Sequence, residues 1–219
     1  VTTGNEVRAC GDQPPTPWQL RDSNRASILT LLEAIPWIQI IRAEHCPDDQ
    51  ASLTELLRSS IADSDALLLT GGVSMGDYDF VPAVLRAIGG EVVFHGLPIR
   101  PGKPILGAVT REGKLLMGLP GNPVSALVGC HRMANPLLRK IAGVDPWMPL
   151  RPLVYLNQPD QQKIPLHWMR LVRLADHGMA ELVDSHGSGD LVSLGHSSGF
   201  IELPPGSSGS GPWPYTAWA

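Results

Sequence analysis

One stretch limits the possible folds of this chain more than any other: Asp65-Ala-Leu-Leu-Leu-Thr70, followed at once by Gly71-Gly72. A short, unbroken apolar run fits a strand buried on both faces, and such strands belong to parallel sheets covered by helices on either side. The surrounding sequence supplies those helices. Ser23 stands where it can cap a helix whose Ile28, Leu31, Leu32 and Ile35 form one apolar stripe, and Pro36 stops it. Residues 38–43 read as a short strand. Ser52-Leu-Thr-Glu55 reads as a capping box that opens a helix with Leu53, Leu56, Leu57 and Ile61 on one face. Beyond the glycines a helix is expected over 81–88, ended by Gly89-Gly90. Strands follow at 91–95, 105–110 and 114–118. A longer helix spans about 123–141, with Gly143 just past its end.

Strands alternating with helices at this spacing predict an α/β domain with a mostly parallel sheet over residues 1–145. Past Pro146 the pattern changes to short, partly alternating runs at 153–156, 168–174, 180–183, 191–194 and 200–203. Gly, Ser, Asp and Pro separate them, which predicts a small all-β domain over 146–219. Residues 206–211 read as a flexible linker, and an apolar end follows at 212–219. With six Trp against three Phe, Trp147, Trp168, Trp213 and Trp218 are expected to pack the β domain.

Composition narrows the function. The 23 Gly and 21 Pro approach a share that suggests disorder, but 43% hydrophobic and 17% charged residues argue against a solvated tail. A net charge of −4 gives no electrostatic case for nucleic acid or an anionic membrane surface. No apolar run is long enough to cross a bilayer. The cysteines Cys10, Cys46 and Cys130 are too scattered for a disulfide framework or a zinc site and are expected to be buried or inert. A reduced, cytoplasmic setting is the expectation. The chain opens on Val1-Thr-Thr-Gly4, which reads like a strand end and suggests part of a longer protein.

Three loops concentrate chemistry. Thr70-Gly-Gly-Val-Ser-Met-Gly-Asp-Tyr-Asp-Phe80 joins the buried strand to a helix, where ligands of open α/β sheets bind. Its glycines allow backbone to approach an anion and Ser74 adds a hydroxyl, while Asp77 and Asp79 suggest a divalent cation beside that anion. The alternative is a glycine-rich turn with Asp79 as helix cap. Arg100-Pro-Gly-Lys-Pro104 holds two cations on a stiff turn suited to an oxyanion, unless it is a solvated basic turn. Gly118-Leu-Pro-Gly-Asn-Pro-Val-Ser125 again links strand to helix, with Asn122 at the cap and Pro123 at the first helical position. Asp22 with Asn24, and Asp48-Asp49, lie at further strand–helix junctions, where Asp is also a routine cap.

In this order and spacing, TGGVSMGDYDFV, RPGKP and GLPGNPVSALV, preceded by TGNEV and RDSNR, closely resemble the molybdopterin molybdenumtransferases, the MoeA family that includes the gephyrin E domain. The stretch from Ser188-Gly-Asp-Leu191 to Pro205 resembles that family's tail. The resemblance covers nearly the whole chain, and the motifs at 70–80 and 118–125 are highly specific. It implies a three-layer α/β/α molybdopterin-binding domain of the MogA and MoaB type, then a barrel-like C-terminal β domain. It implies insertion of molybdate into adenylylated molybdopterin with release of AMP, assisted by Mg²⁺. Gly71, Gly72, Ser74 and Gly76 are then expected at the pterin-phosphate site. Asp79, Asp22, Asp48 and Asp77 are expected to serve catalysis or the metal. Arg100, Lys103, Pro120, Gly121, Asn122 and Ser125 are expected to bind substrate oxyanions.

The chain departs from the family pattern in three ways. It reads Thr3-Gly4-Asn5-Glu6 where members read Thr-Gly-Asp-Glu, so one carboxylate is lost. Most of the family's first strand would precede Val1. The N-terminal subdomains that build the family's dimer are not in this sequence. The competing reading is a non-catalytic molybdopterin-binding or scaffold module, and a stand-alone MogA-type relative is a third.

Overall fold

The computed structural model describes residues 1–11, 13–73 and 80–218. In chain order the strands of the first part are β1 (Thr2–Thr3), β2 (Val7–Arg8), β3 (Leu20–Arg21), β4 (His45–Cys46), β5 (Ala66–Thr70), β6 (Gly90–His95), β7 (Ile99–Arg100), β8 (Leu106–Thr110) and β9 (Leu115–Leu119). Six of them form one sheet in the order β4-β1-β5-β9-β8-β6. Strands β4, β1, β5 and β9 are parallel, whereas β8 runs antiparallel to β9, and β6 to β8. The expected mostly parallel sheet is therefore present, and its two central strands are the apolar ones. Leu67 and Leu69 of β5, and Leu116, Met117 and Leu119 of β9, are buried.

Helices cover both faces. On one side lie α1 (Ser23–Glu33), and further along the chain α4 (Pro123–Gly129) and α5 (Asn135–Ile141); on the other lie α2 (Gln50–Ala62) and α3 (Val81–Ala87). The single long helix expected over 123–141 is two α segments joined by a π turn at Cys130–Ala134. Pro136 explains the widening. It has no N–H to close an i→i−4 bond onto Arg132, so the helix loosens one turn earlier.

The second part contains β10 (Leu153–Leu156), β11 (His167–Leu174), β12 (Met179–Leu182), α6 (Leu191–His196), β13 (Gly199–Leu203) and β14 (Trp213–Ala217). The order β12-β10-β14-β13-β11 closes on itself through a β11–β12 pairing, which makes a small barrel. Strand β7 leaves the first part to pair with β11, Ile99 opposite His167 and Arg100 opposite Trp168. One apolar cluster runs through both parts, from Ile28 and Leu32 of α1 to Leu171 and Phe200 of the barrel. Arg132 of the π turn and Arg151 both hold Glu202 of β13. Burial would raise the Glu202 pKa, but the Arg132 hydrogen bond and the two guanidinium charges hold it below the usual range.

Several local expectations are corrected. The cap of α1 is Asp22 rather than Ser23, its Oδ1 accepting from Arg25 N at 2.9 Å. The cap of α2 is Asp49, three residues before the expected Ser52, and it accepts from Ser52 N at 2.7 Å. Residues 38–43 form no strand; the edge strand is His45–Cys46, because only there does β1 run alongside. Residues 191–194 are helical, since Asp190 caps Val192 N and Ser193 N and turns the apolar run into α6. The apolar end beyond the glycines is strand β14, paired on both sides. Trp147 lies outside the barrel, under Lys140 of α5 at 5.2 Å, and Cys10 is exposed. Cys46 and Cys130 are buried, and burial pushes the Cys130 thiol up to about 12.

Candidate active site

The carboxyl ends of β1, β5 and β9 meet at a cleft of about 1380 Å³. Its walls are the loops that follow those strands, as expected where parallel strands deliver successive loops to one side. Gly71 and Gly72 leave β5 with φ of +89° and +62°, conformations that a residue with a side chain rarely adopts. Space is limiting as well. A Cβ on Gly71 would sit 2.6 Å from Thr3 Oγ1, and one on Gly72 2.9 Å from Val81 Cγ2. These two glycines let bare backbone line the cleft.

The other loops are tied to each other rather than hanging free. Asn24 Nδ2 donates to the Gly121 carbonyl at 2.7 Å, joining the loop before α1 to the loop before α4. Asn122 stands at the cap of α4 but makes no side-chain cap bond; its Nδ2 donates instead to Ser188 Oγ at 2.8 Å. The vacant cap function passes to the barrel side, whose Ser188 carbonyl accepts from Val124 N at 3.0 Å. On the opposite rim Asn5 N donates to Asp48 Oδ2 at 3.0 Å, and Asp48 N donates to Asn5 Oδ1 at 3.1 Å. Asn5 thus locks its loop to the start of α2.

Asp22 is buried beneath this cleft. Oδ2 accepts from Thr2 Oγ1 at 2.6 Å, Oδ1 from Arg25 N, and His45 Nδ1 lies 3.3 Å from the same Thr2 hydroxyl. The Asp49 carboxyl, fully exposed, is held below the usual range by the side chain and backbone N–H of Ser52. No three His, Cys, Asp or Glu side chains gather into a metal site among the described residues. Asp22, Asp48 and Asp49 already serve backbone or hydroxyl donors, so these carboxylates do not by themselves form a cage for Mg²⁺. Asp77 and Asp79, like Ser74 and Gly76, lie outside the described residues.

Of the residues singled out in the sequence, Gly71, Gly72, Asp22, Asp48, Pro120, Gly121 and Asn122 come together as lining of one cleft. Of the Arg-Pro-Gly-Lys-Pro turn, Pro104 reaches the wall. Arg100 is exposed and stacks over Trp168 at 5.3 Å, with Arg170 over the same ring at 4.1 Å. Lys103 is exposed on that turn, whereas Ser125 is buried inside α4, its carbonyl near Gly102. The sequence reading missed Thr2, and it named Asn24 and the Ser188-to-Leu191 turn without giving them a place at the cleft. A signal for the last was present in Asp190, which reads as a cap.

Comparisons with known proteins agree with one another. A family model described as "Probable molybdopterin binding domain" matches residues 1–140. A molybdopterin molybdenumtransferase of Nostoc sp. is 32% identical over 94% of this chain and 48% of its own length. One from Haemophilus influenzae is 35% identical over 67% of this chain and 35% of its own length. The solved structure of a molybdopterin biosynthesis MoeA protein from Pyrococcus horikoshii superposes with a TM-score of 0.83 at 26% identity, over all of this chain and 53% of that one. The chain spans about half the length of the curated relatives that it matches over nearly its whole extent.

Proposed function

The chain belongs to the molybdopterin-binding domain family, as the C-terminal half of a MoeA-type protein, and on that premise we propose that its cleft binds adenylylated molybdopterin for the molybdenum-inserting step of cofactor synthesis. The reaction is insertion of molybdate at the dithiolene with release of AMP. The observation that carries this reading is the convergence of Gly71-Gly72, Pro120-Gly121-Asn122 and the Asp22-to-Asn24 loop on one cleft of about 1380 Å³. That is more room than most single-ligand pockets offer, and suits a bipartite ligand of pterin and nucleotide.

In this reading each loop has a task. Backbone at Gly71 and Gly72 approaches the phosphates, where side chains would collide. Asn24 and Ser188 fix the Gly121–Asn122 turn from opposite sides, which holds the wall of the cleft in one conformation before ligand arrives. Arg100 and Lys103 supply positive charge at the barrel side for molybdate or for the pterin-linked phosphate. Asp22, held by Thr2 and Arg25, acts chiefly by orienting the N-terminus of α1. Mg²⁺ enters as a companion of the substrate phosphates, since that ion is usually held by one or two carboxylates and its own waters. No step is assigned to it through the described residues.

The test is to mix the protein with adenylylated molybdopterin, molybdate and Mg²⁺ and to follow AMP, with and without the other half of a related full-length chain. Release in either arm supports the enzyme reading, and none in both arms sinks it. A second reading, a molybdopterin-binding module without turnover, is favoured by Asn5, which replaces a family carboxylate with an amide already committed to Asp48. Tight binding of the pterin with no AMP in either arm is its signature. Dimer formation and a cytoplasmic setting belong to the proposal for the full-length protein.

A further inference from the structure

Arg100 is exposed, and no carboxylate among the described residues pairs with it, yet its side chain has a defined place. The cause lies in the register of β7 on β11. In that parallel pair Arg100 stands opposite Trp168, so the two side chains leave the sheet on one face. The guanidinium carbon lies over the indole, 5.3 Å from the ring centroid, which is within cation–π range. Strand β11 alternates beyond that point. Met169 and Leu171 face the cluster shared with α1, whereas Trp168 and Val172 belong to the cluster inside the barrel. Arg170, two residues from Trp168, therefore points inward as well, and its guanidinium lies 4.1 Å from the centroid of the same ring.

A cation turned toward a barrel interior needs a partner, and this one has it. Arg170 Nη1 donates to Asp160 Oδ2 at 2.8 Å, and the Asp160 side chain is 3% exposed. Asp160 is fixed in turn. Its Oδ1 accepts from Gln162 N at 3.0 Å, and its backbone exchanges two hydrogen bonds with Gly209, at 3.2 and 2.7 Å. Burial lowers the Arg170 pKa and the charge of Arg100 adds to the fall, while Asp160 and Asp184 oppose it. The two guanidiniums thus feel each other around one ring, and Asp160 neutralises the inner one. The charge left over is that of the outer guanidinium, held against a buried aromatic surface.

On the premise that Arg100 binds an oxyanion of the substrate, as proposed above, we infer that Trp168 and the Arg170–Asp160 pair are positioning residues that present the Arg100 guanidinium to that oxyanion already oriented. Asp160 holds Arg170, Arg170 and the barrel core hold the indole, and the indole holds Arg100. Contact with the ring spends none of the guanidinium N–H donors on an acceptor, so they stay available for a two-pronged grip on a tetrahedral anion. The ring also removes rotamer freedom that an exposed arginine would otherwise lose on binding. The Arg170–Asp160 pair carries no net charge, so its contribution is orientation and not field strength. In the sequence Trp168 reads as packing alone; its second use follows from a strand pairing 68 positions apart.

The experiment titrates molybdate into this chain by calorimetry at fixed ionic strength, with the Arg100 Nε–Hε resonance and thermal melting followed in the same variants. In the native chain the Arg100 signal is expected upfield, displaced by the ring current of Trp168, and Trp168→Leu should abolish the displacement. Molybdate affinity is expected to fall about fivefold in Trp168→Leu, with most of the loss recovered in Trp168→Phe, which restores a ring. Arg170→Met combined with Asp160→Asn removes a neutral pair and keeps the net charge; a loss of about threefold is expected. Native affinity in a folded Trp168→Leu chain would overturn the positioning role and leave Arg100 as an oxyanion ligand. If that variant unfolds, the double variant decides, and unchanged affinity in it overturns the proposal. A displaced Arg100 signal with no molybdate binding by the native chain would overturn the oxyanion role, and the proposal with it. Native affinity in Arg100→Lys would overturn it too, since a mobile point charge would then suffice.

Discussion

The Val1 amine gives a stability term that can be isolated by pH. Its pKa falls from 8.0 to about 6 on folding, because burial beside Leu68 disfavours the ammonium more than Asp22 and Glu44 stabilise it, with Arg25 adding to the fall. Between those values the unfolded chain carries a proton that the folded chain lacks. Stability is therefore full above pH 8, falls as the pH drops through 8 toward 6, and levels below 6. A shift of two units corresponds to about 2.7 kcal/mol. For a chain of this size that is roughly 5–10 °C in melting temperature. The assay is urea unfolding at half-unit pH steps, run in parallel on the free chain and on a form acetylated at Val1. Groups elsewhere, including His131, titrate in both forms and cancel in the difference. The difference should grow as pH falls from 8 to 6, the acetylated form being the more stable. Parallel curves would refute the reasoning, because they would mean that the amine is solvated in the folded state.

Other outcomes follow from other parts of the molecule. Gly71→Ala meets both a positive φ and a Cβ contact of 2.6 Å with Thr3 Oγ1, so it should cost about 1–3 kcal/mol in urea unfolding and abolish pterin binding by titration. Asn122→Ala removes the Ser188 tie and should weaken pterin affinity several-fold while the melting temperature hardly moves. Glu202→Gln leaves Arg132 and Arg151 without their carboxylate; a loss of about 2–3 kcal/mol is expected for this half-buried cluster, read by calorimetry. His131 is buried against Trp218, and burial lowers its pKa from 6.5 to about 4. Stability should accordingly fall as pH drops from 6.5 toward 4, and His131→Leu should flatten that slope in the same unfolding assay.

The sequence was most legible where one physical effect dominates. Ala66–Thr70 has to be buried on both faces, and the glycines after it have to turn, so strand, loop and cleft position followed together. Legibility failed where a side chain had two competing uses. Asn122 carries the residue type of a cap, yet its amide reaches 66 positions along the chain to Ser188. Residues 191–194 and 38–43 both look like strands by apolar content. The first becomes a helix through the Asp190 cap, and the second stays unpaired because a strand needs a neighbour that no local pattern reveals. Residues 213–217 read as a tail after glycines, and only barrel closure makes them a strand.

The pairing of Ile99–Arg100 with His167–Trp168 has a consequence for how such a molecule can be divided. The cationic turn is anchored to the barrel by backbone, while the loops of the cleft are anchored to the parallel sheet. Cutting the chain near residue 145 therefore parts two strands that are hydrogen-bonded to each other. It removes the bed on which Arg100 is laid, along with the Trp168 ring beneath it. Barrel and turn hold their shape as one piece.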